Sequence, residues 1–191
     1  MIPLDILATL YWIVLLAITV GSLVLAALAL TKKNLAYFSG GLLVLALVLA
    51  ALRFAPAPAG VGVLLSLLCI ALAIVGGGPA VNLALGLAGG GSPAGAHGGI
   101  LVETTKEGVS SEPKREVLRG GATIGILERV AVAASIVAGH PEAIAVVVAV
   151  KGVGRFTELD ASEARERFII GTMASLIWAC ASAALARVVL G

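Results

Sequence analysis

The placement of charge along the chain constrains its fold more than any motif does. Ile6 to Leu30 carries no charged residue, and about 20 apolar residues suffice for a helix to cross a bilayer. Lys32 and Lys33 close that run. Leu35 to Leu52 is a second uncharged run, ended by Arg53 and by Ala-Pro-Ala-Pro at 55–58, where proline cannot continue a helix. A third starts near Gly60 and reaches Ala88. The chain is 60% hydrophobic and 13% charged, with a mean hydropathy of +1.10, whereas soluble domains carry about 25% charged residues. The pattern predicts an all-α fold, a polytopic transmembrane bundle of about six helices in which the fourth and fifth form a short hairpin. A net charge of +2 is too small to suggest a nucleic-acid partner.

Three regions follow: a three-helix membrane region over 1–90, a polar cytoplasmic loop over 91–120, and a hairpin plus final helix over 121–191. Asp5, and the lack of any Lys or Arg before residue 32, do not fit a secretory leader, so the first run is expected to stay as a membrane helix. Gly76, Gly77, Gly78 and Pro79 interrupt the third run. Such residues loosen a helix, and the expectation is one kinked span, with a re-entrant piece as the alternative. The polar loop carries Glu103, Lys106, Glu107, Glu112, Lys114, Arg115, Glu116 and Arg119, nearly balanced in sign, and reads as a mobile extramembrane connection.

Residues 124–156 decide the topology. Gly139-His140-Pro141-Glu142 splits an otherwise apolar stretch. One helix would bury these four residues in lipid. A hairpin uses Gly139 as a helix stop and Pro141 as the first residue of the next helix. Asp160 as N-cap, with Glu163 three residues on, starts the last helix, which runs to about Val189. Six spans then place Lys32, Lys33, Lys106, Lys114, Arg115, Arg119, Arg129, Lys151, Arg155, Arg165 and Arg167 inside, and Arg53 and Arg187 outside. Eleven of 13 basic residues on one side satisfies the positive-inside tendency. Both termini are expected outside a bacterial cytoplasmic (inner) membrane.

Three constellations stand out. Glu128, Arg129, Lys151, Arg155 and Glu158 gather at the expected cytoplasmic ends of the last helices. They suit a structural clamp with snorkelling side chains, or a contact for anionic lipid or a partner. Gly171, Ser175, Ala179 and Ala183 form one small-residue ridge, and Ala131, Ser135 and Gly139 another. Such ridges let membrane helices approach closely, within the chain or towards another subunit. Asn82 follows the break at Gly76, Gly77, Gly78 and Pro79. A polar residue beyond a broken helix is the pattern of secondary transporters, and an interhelical hydrogen bond is the plainer role. His97 lies in the polar loop and His140 in the hairpin turn beside Glu142; a lone His is no set of three or four ligands, and no catalytic motif is present, so no metal, cofactor or catalytic group is expected.

Ile124-Gly125-x-Leu127-Glu128-Arg129, Gly139, Ala143-Ile144, Ala149-x-Lys151, Arg155-Phe156-x-Glu158-Leu159 and Phe168-Ile-Ile-Gly171-Thr172 with Ser175 occur in that order. This third of the chain resembles the C-terminal membrane segment of a family of uncharacterised bacterial and phage integral membrane proteins. The resemblance implies three C-terminal helices and no assigned activity. The expected function is a non-enzymatic accessory or assembly subunit of a larger membrane complex, such as a respiratory or envelope-building one. It would contact lipid and other membrane subunits or a second copy of itself. The alternative is a small transporter of solute, ion or lipid.

Overall fold

The computed structural model describes residues 4–58, 60–89, 100–102, 115–117, 121–155 and 162–190. They form six helices: α1 (Leu4–Leu28), α2 (Leu35–Ala51), α3 (Val61–Leu87), α4 (Gly121–Val137), α5 (Ala143–Arg155) and α6 (Ser162–Leu190). Within the polar loop, β1 (Ile100–Val102) pairs antiparallel with β2 (Arg115–Val117), Leu101 opposite Glu116. The bundle is therefore helical throughout, with one short ladder in the connection that the sequence left without structure. Asp160, Glu158 and most of the polar loop lie outside the described residues, as do the side chains of Arg155 and Glu163.

The helices are apolar on every face, so no polar stripe tells inside from outside. Size does. The buried positions of α1 are Trp12, Leu15, Thr19, Ser22 and Ala26, and those of α2 are Ala36, Ser39, Leu43, Ala46 and Ala50. Both sets alternate three and four residues, the spacing of a knobs-into-holes seam. Mostly small residues face inward, while Ile13, Val14, Val44 and Val48 face outward. That is the arrangement expected when lipid, as apolar as the core, gives no reason to hide large side chains. Within the seam, Ser22 Oγ donates to the Ser39 carbonyl at 2.9 Å and Ser39 Oγ to the Ser22 carbonyl at 2.8 Å. At one end, Tyr11 Oη donates to Leu49 O and Trp12 Nε1 to Pro56 O, each at 3.0 Å.

The most extensive packing is between α3 and α6, which run antiparallel. Gly62 meets Val189, Gly76 meets Trp178, and Gly171 meets Val81. The α1–α2 pair covers one flank of this centre and α4 covers the other, while the backbone of α5 approaches α4 alone. The 1–90 and 121–191 membrane regions thus share one core. One end of the bundle collects the start of α1, the 52–60 connection and the end of α6.

α3 continues without interruption through Gly76, Gly77, Gly78 and Pro79. The expected one-helix form is thus observed, rather than two pieces separated at the glycines. The α4–α5 hairpin forms as expected, with its boundary shifted. Gly139 has φ +83°, and the His140 N–H returns to Ser135 O at 2.8 Å, a glycine-terminated helix end. Pro141 then sits in a tight entry turn with three successive i→i+3 bonds, and α5 begins at Ala143 rather than at Pro141. The tighter entry follows from proline's missing N–H and fixed φ.

Three of the helices, Leu4–Leu28, Val61–Leu87 and Ala164–Leu190, are long and apolar enough to cross a membrane. The chain is a membrane protein on that ground.

Candidate functional site

Two of the glycines expected to loosen α3 are instead a docking surface. A Cβ at Gly76 would lie 2.3 Å from the Trp178 indole, and one at Gly77 would lie 2.2 Å from Arg129 Cδ. A Cβ at Gly78 would meet nothing within 4 Å. The two bare positions let large side chains from α6 and α4 reach the α3 backbone. Trp178 Nε1 donates to Leu72 O at 2.9 Å, and Arg129 Nε donates to Ile74 O at 3.0 Å. Arg129 Nη1 also donates to Ser175 Oγ at 3.2 Å on α6. Pro79 lies just beyond. It has no N–H, so the Val75 carbonyl lacks its helical donor and the ladder is already weakened where these side chains enter.

Arg129 is 7% exposed, and its depth corrects the expectation that it lies near a helix end. It is eight residues from each end of α4 (121 to 129, 129 to 137). Its acceptor Ile74 is thirteen residues from each end of α3 (61 to 74, 74 to 87), and Ser175 is thirteen from the start of α6 (162 to 175). A guanidinium held at the midpoint of long apolar helices cannot snorkel; it depends on the dipoles around it. The error arises because sequence order shows where Arg129 starts but not which way it turns.

Glu128, the next residue, turns to the other side of α4. Its Oε2 accepts from Lys151 Nζ of α5 at 2.5 Å, with both side chains mostly buried. Lys151 Nζ also stands 5.6 Å from the centroid of the Phe168 ring on α6, a cation–π contact. Of the charge cluster read from the sequence, Glu128, Arg129 and Lys151 are thus brought together, while Glu158 and the Arg155 side chain lie outside the described residues. Glu128 Oε1 is buried and finds no hydrogen-bond partner among the described residues. The result is a row of three charges, Arg129, Glu128 and Lys151, inside the apolar zone.

The two small-residue ridges separate. Ser175, Ala179 and Ala183 are buried, and Gly171 packs on Val81, so this ridge is internal. Ala131 is exposed, Ser135 is half-buried and bonded to Val132 O, and Gly139 is in the exposed turn. The second ridge therefore does not pack within the chain. α4 instead buries Gly125, Arg129, Val132 and Ala133, because the reach of Arg129 to α3 and α6 sets its rotation. Asn82 is exposed and takes no part in the charged row. At the start of α6, Ser162, Arg165, Glu166, Ile169 and Ile170 line a shallow groove of about 460 Å³.

Sequence reasoning missed Gly76 and Gly77 as cradles, Trp178 and Arg129 as their respective occupants, and the Ser22–Ser39 contact. The 3–4 spacing of small residues in α1 and α2 was the available signal for the last of these. No family model, curated protein or solved structure matches the chain.

Proposed function

We propose that the chain is a six-crossing, non-enzymatic subunit of the cytoplasmic membrane that works by packing against other membrane subunits. One observation carries this reading. The α5 backbone approaches α4 alone, with Lys151 reaching Phe168 of α6, and Val146, Val150 and Val153 are left exposed at 63%, 68% and 81%. At 13 residues it is about 20 Å long, shorter than the roughly 30 Å hydrocarbon core. A second subunit against this arm would cover the face and relieve the mismatch.

Helix polarity supports six crossings. From Arg129 at mid-depth, the eight residues to Val137 rise about 12 Å, close to the outer interface, where His140 and Glu142 are exposed and 3.1 Å apart. That geometry suits both termini on the outer face, with Lys32, Lys33, Arg165 and Arg167 at the inner one.

The test is site-specific photo-crosslinking in native membranes from Val150, with Val44 on α2 as the comparison, followed by purification in mild detergent. A stoichiometric adduct from Val150 is expected. A chain that purifies alone and gives no α5 adduct refutes the reading. A second reading, a small transporter, is favoured by the charged row at mid-depth. It requires solute flux in proteoliposomes that Lys151→Ala abolishes while the fold survives.

A further inference from the structure

We infer that two copies of the chain associate through the outward face of α3, crossing at Asn82. The subunit reading above rests on α5, whereas this face lies on another helix and stands or falls separately.

Asn82 is the polar side chain that the fold leaves without a role. It is exposed on α3 and makes no hydrogen bond among the described residues. Ile74 is the midpoint of α3, and Asn82 comes eight residues later (74 to 82), about 12 Å along the helix. That depth is inside the roughly 15 Å half-thickness of the hydrocarbon core. The amide has two donors and an acceptor, and lipid tails satisfy none of them. A polar side chain in such a place favours association with another helix through a hydrogen bond.

The backbone around Asn82 is open to close approach. Gly78 lies four residues before it and Gly86 four residues after, so the three share one ridge of the helix. A Cβ at either glycine would meet nothing within 4 Å. Gly76 and Gly77 differ, because Trp178 and Arg129 already occupy their surfaces. One run of glycines thus serves two faces, the inner one filled within the chain and the outer one bare. Small residues spaced by four let two membrane helices cross at short range.

Chemistry selects a second copy as the occupant. Copies inserted by the same charge rule share one orientation. A two-fold axis between them then runs along the membrane normal and sets α3 parallel to its equivalent. The ridge is symmetric about Asn82, with a glycine on either side. A crossing there brings both amides to the axis, where each N–H donates to the other's oxygen. Asparagine is donor and acceptor at once, so the contact closes with no second residue type. α3 carries no charged residue, so nothing on this face calls for an opposite charge.

The test dilutes the full chain in lipid vesicles, half of the copies carrying a donor dye and half an acceptor, and reads self-association by energy transfer. Asn82→Leu is expected to raise the dimer dissociation constant about tenfold, and Gly78→Leu at least as much. Asn82→Gln keeps the amide and should retain most of the affinity. Gly41 on α2 is exposed and equally open, so Gly41→Leu should change nothing. Both α3 substitutions point into open space and should unfold no earlier than the parent chain, which separates loss of contact from loss of fold. In native membranes, mild oxidation of Asn82→Cys should give a covalent dimer. The parent chain, with Cys69 buried and Cys180 half-buried, is the blank. A parent chain that stays monomeric at high protein density overturns the proposal. So does an Asn82→Leu variant that associates like the parent, since headgroups or interfacial water would then satisfy the amide. An Asn82→Cys adduct with a different protein overturns it too and gives the face to another subunit. Crosslinking from Val150 is a separate readout. A native Val150 adduct beside an unaffected Asn82→Leu variant keeps the subunit reading and refutes only the α3 contact.

Discussion

The same substitution at three consecutive positions of α3 should have opposite consequences. Replacing glycine by alanine within a helix gains about 0.5–1 kcal/mol from backbone entropy. Gly78→Ala should realise that gain, since its new methyl meets nothing within 4 Å. At Gly77 the methyl would stand 2.2 Å from Arg129 Cδ and 2.6 Å from Nε. Those atoms are the body of a side chain fixed at both bonded nitrogens, so they cannot swing away cheaply. Overpacking costs about 1–3 kcal/mol, and displacing a charged hydrogen bond costs about 1.5–3 kcal/mol. Less the helix gain, Gly77→Ala should destabilise by about 2–5 kcal/mol. Gly76→Ala pushes a rigid indole and risks the neutral bond to Leu72 O, so about 1–3 kcal/mol is expected. The assay is reversible unfolding in mixed micelles as the fraction of denaturing detergent rises, followed by helical circular dichroism. If Gly77→Ala proves as stable as Gly78→Ala, the Arg129 cradle is not a tight contact and the argument for a sealed arginine fails.

Arg129→Lys should cost about 2–3 kcal/mol in the same assay, because a single ammonium cannot reproduce the fork that bridges Ile74 O and Ser175 Oγ; an unchanged midpoint would refute that role. Gly139→Ala places a methyl at φ +83° and should cost about 1–2 kcal/mol, read as a lower midpoint. Ser22→Ala and Ser39→Ala should each cost about 1 kcal/mol, and the double variant about their sum, since each hydroxyl donates to a backbone carbonyl that survives the other change; a double cost well below the sum would show that the two bonds act as a unit.

The positions of the helices were legible because length and charge spacing are linear properties of the chain. The Gly139 turn was legible for the same reason, as a stop signal inside an apolar run. The direction in which side chains turn was not. Glu128 and Arg129 are neighbours in sequence and point to opposite sides of α4, one to α5 and the other to α3 and α6. The Gly76–Pro79 segment looked like a break because glycine and proline weaken helices in isolation. In the bundle, the absence of side chains there is what admits Trp178 and Arg129. Asn82 drew attention as the polar residue in an apolar stretch, yet it faces outward. The small-residue seam of α1 and α2 was readable from its 3–4 spacing, but amphipathic contrast, the usual guide to a helix's inner face, is missing when every face is apolar.

The hydrogen bonds between helices also imply an order of assembly during synthesis. The Ser22–Ser39 exchange joins residues 17 apart, and Tyr11 and Trp12 reach partners 38 and 44 residues on. The first two helices can therefore satisfy their inward-facing polar groups as soon as both have left the ribosome. Trp178 reaches back 106 residues to Leu72, and Arg129 waits for Ser175, 46 residues later. A nascent chain stopped before α6 holds its central guanidinium with only the α3 carbonyl to receive it. Completion of the last helix is thus the step that gives the buried guanidinium its second acceptor and closes α4 onto the rest of the bundle.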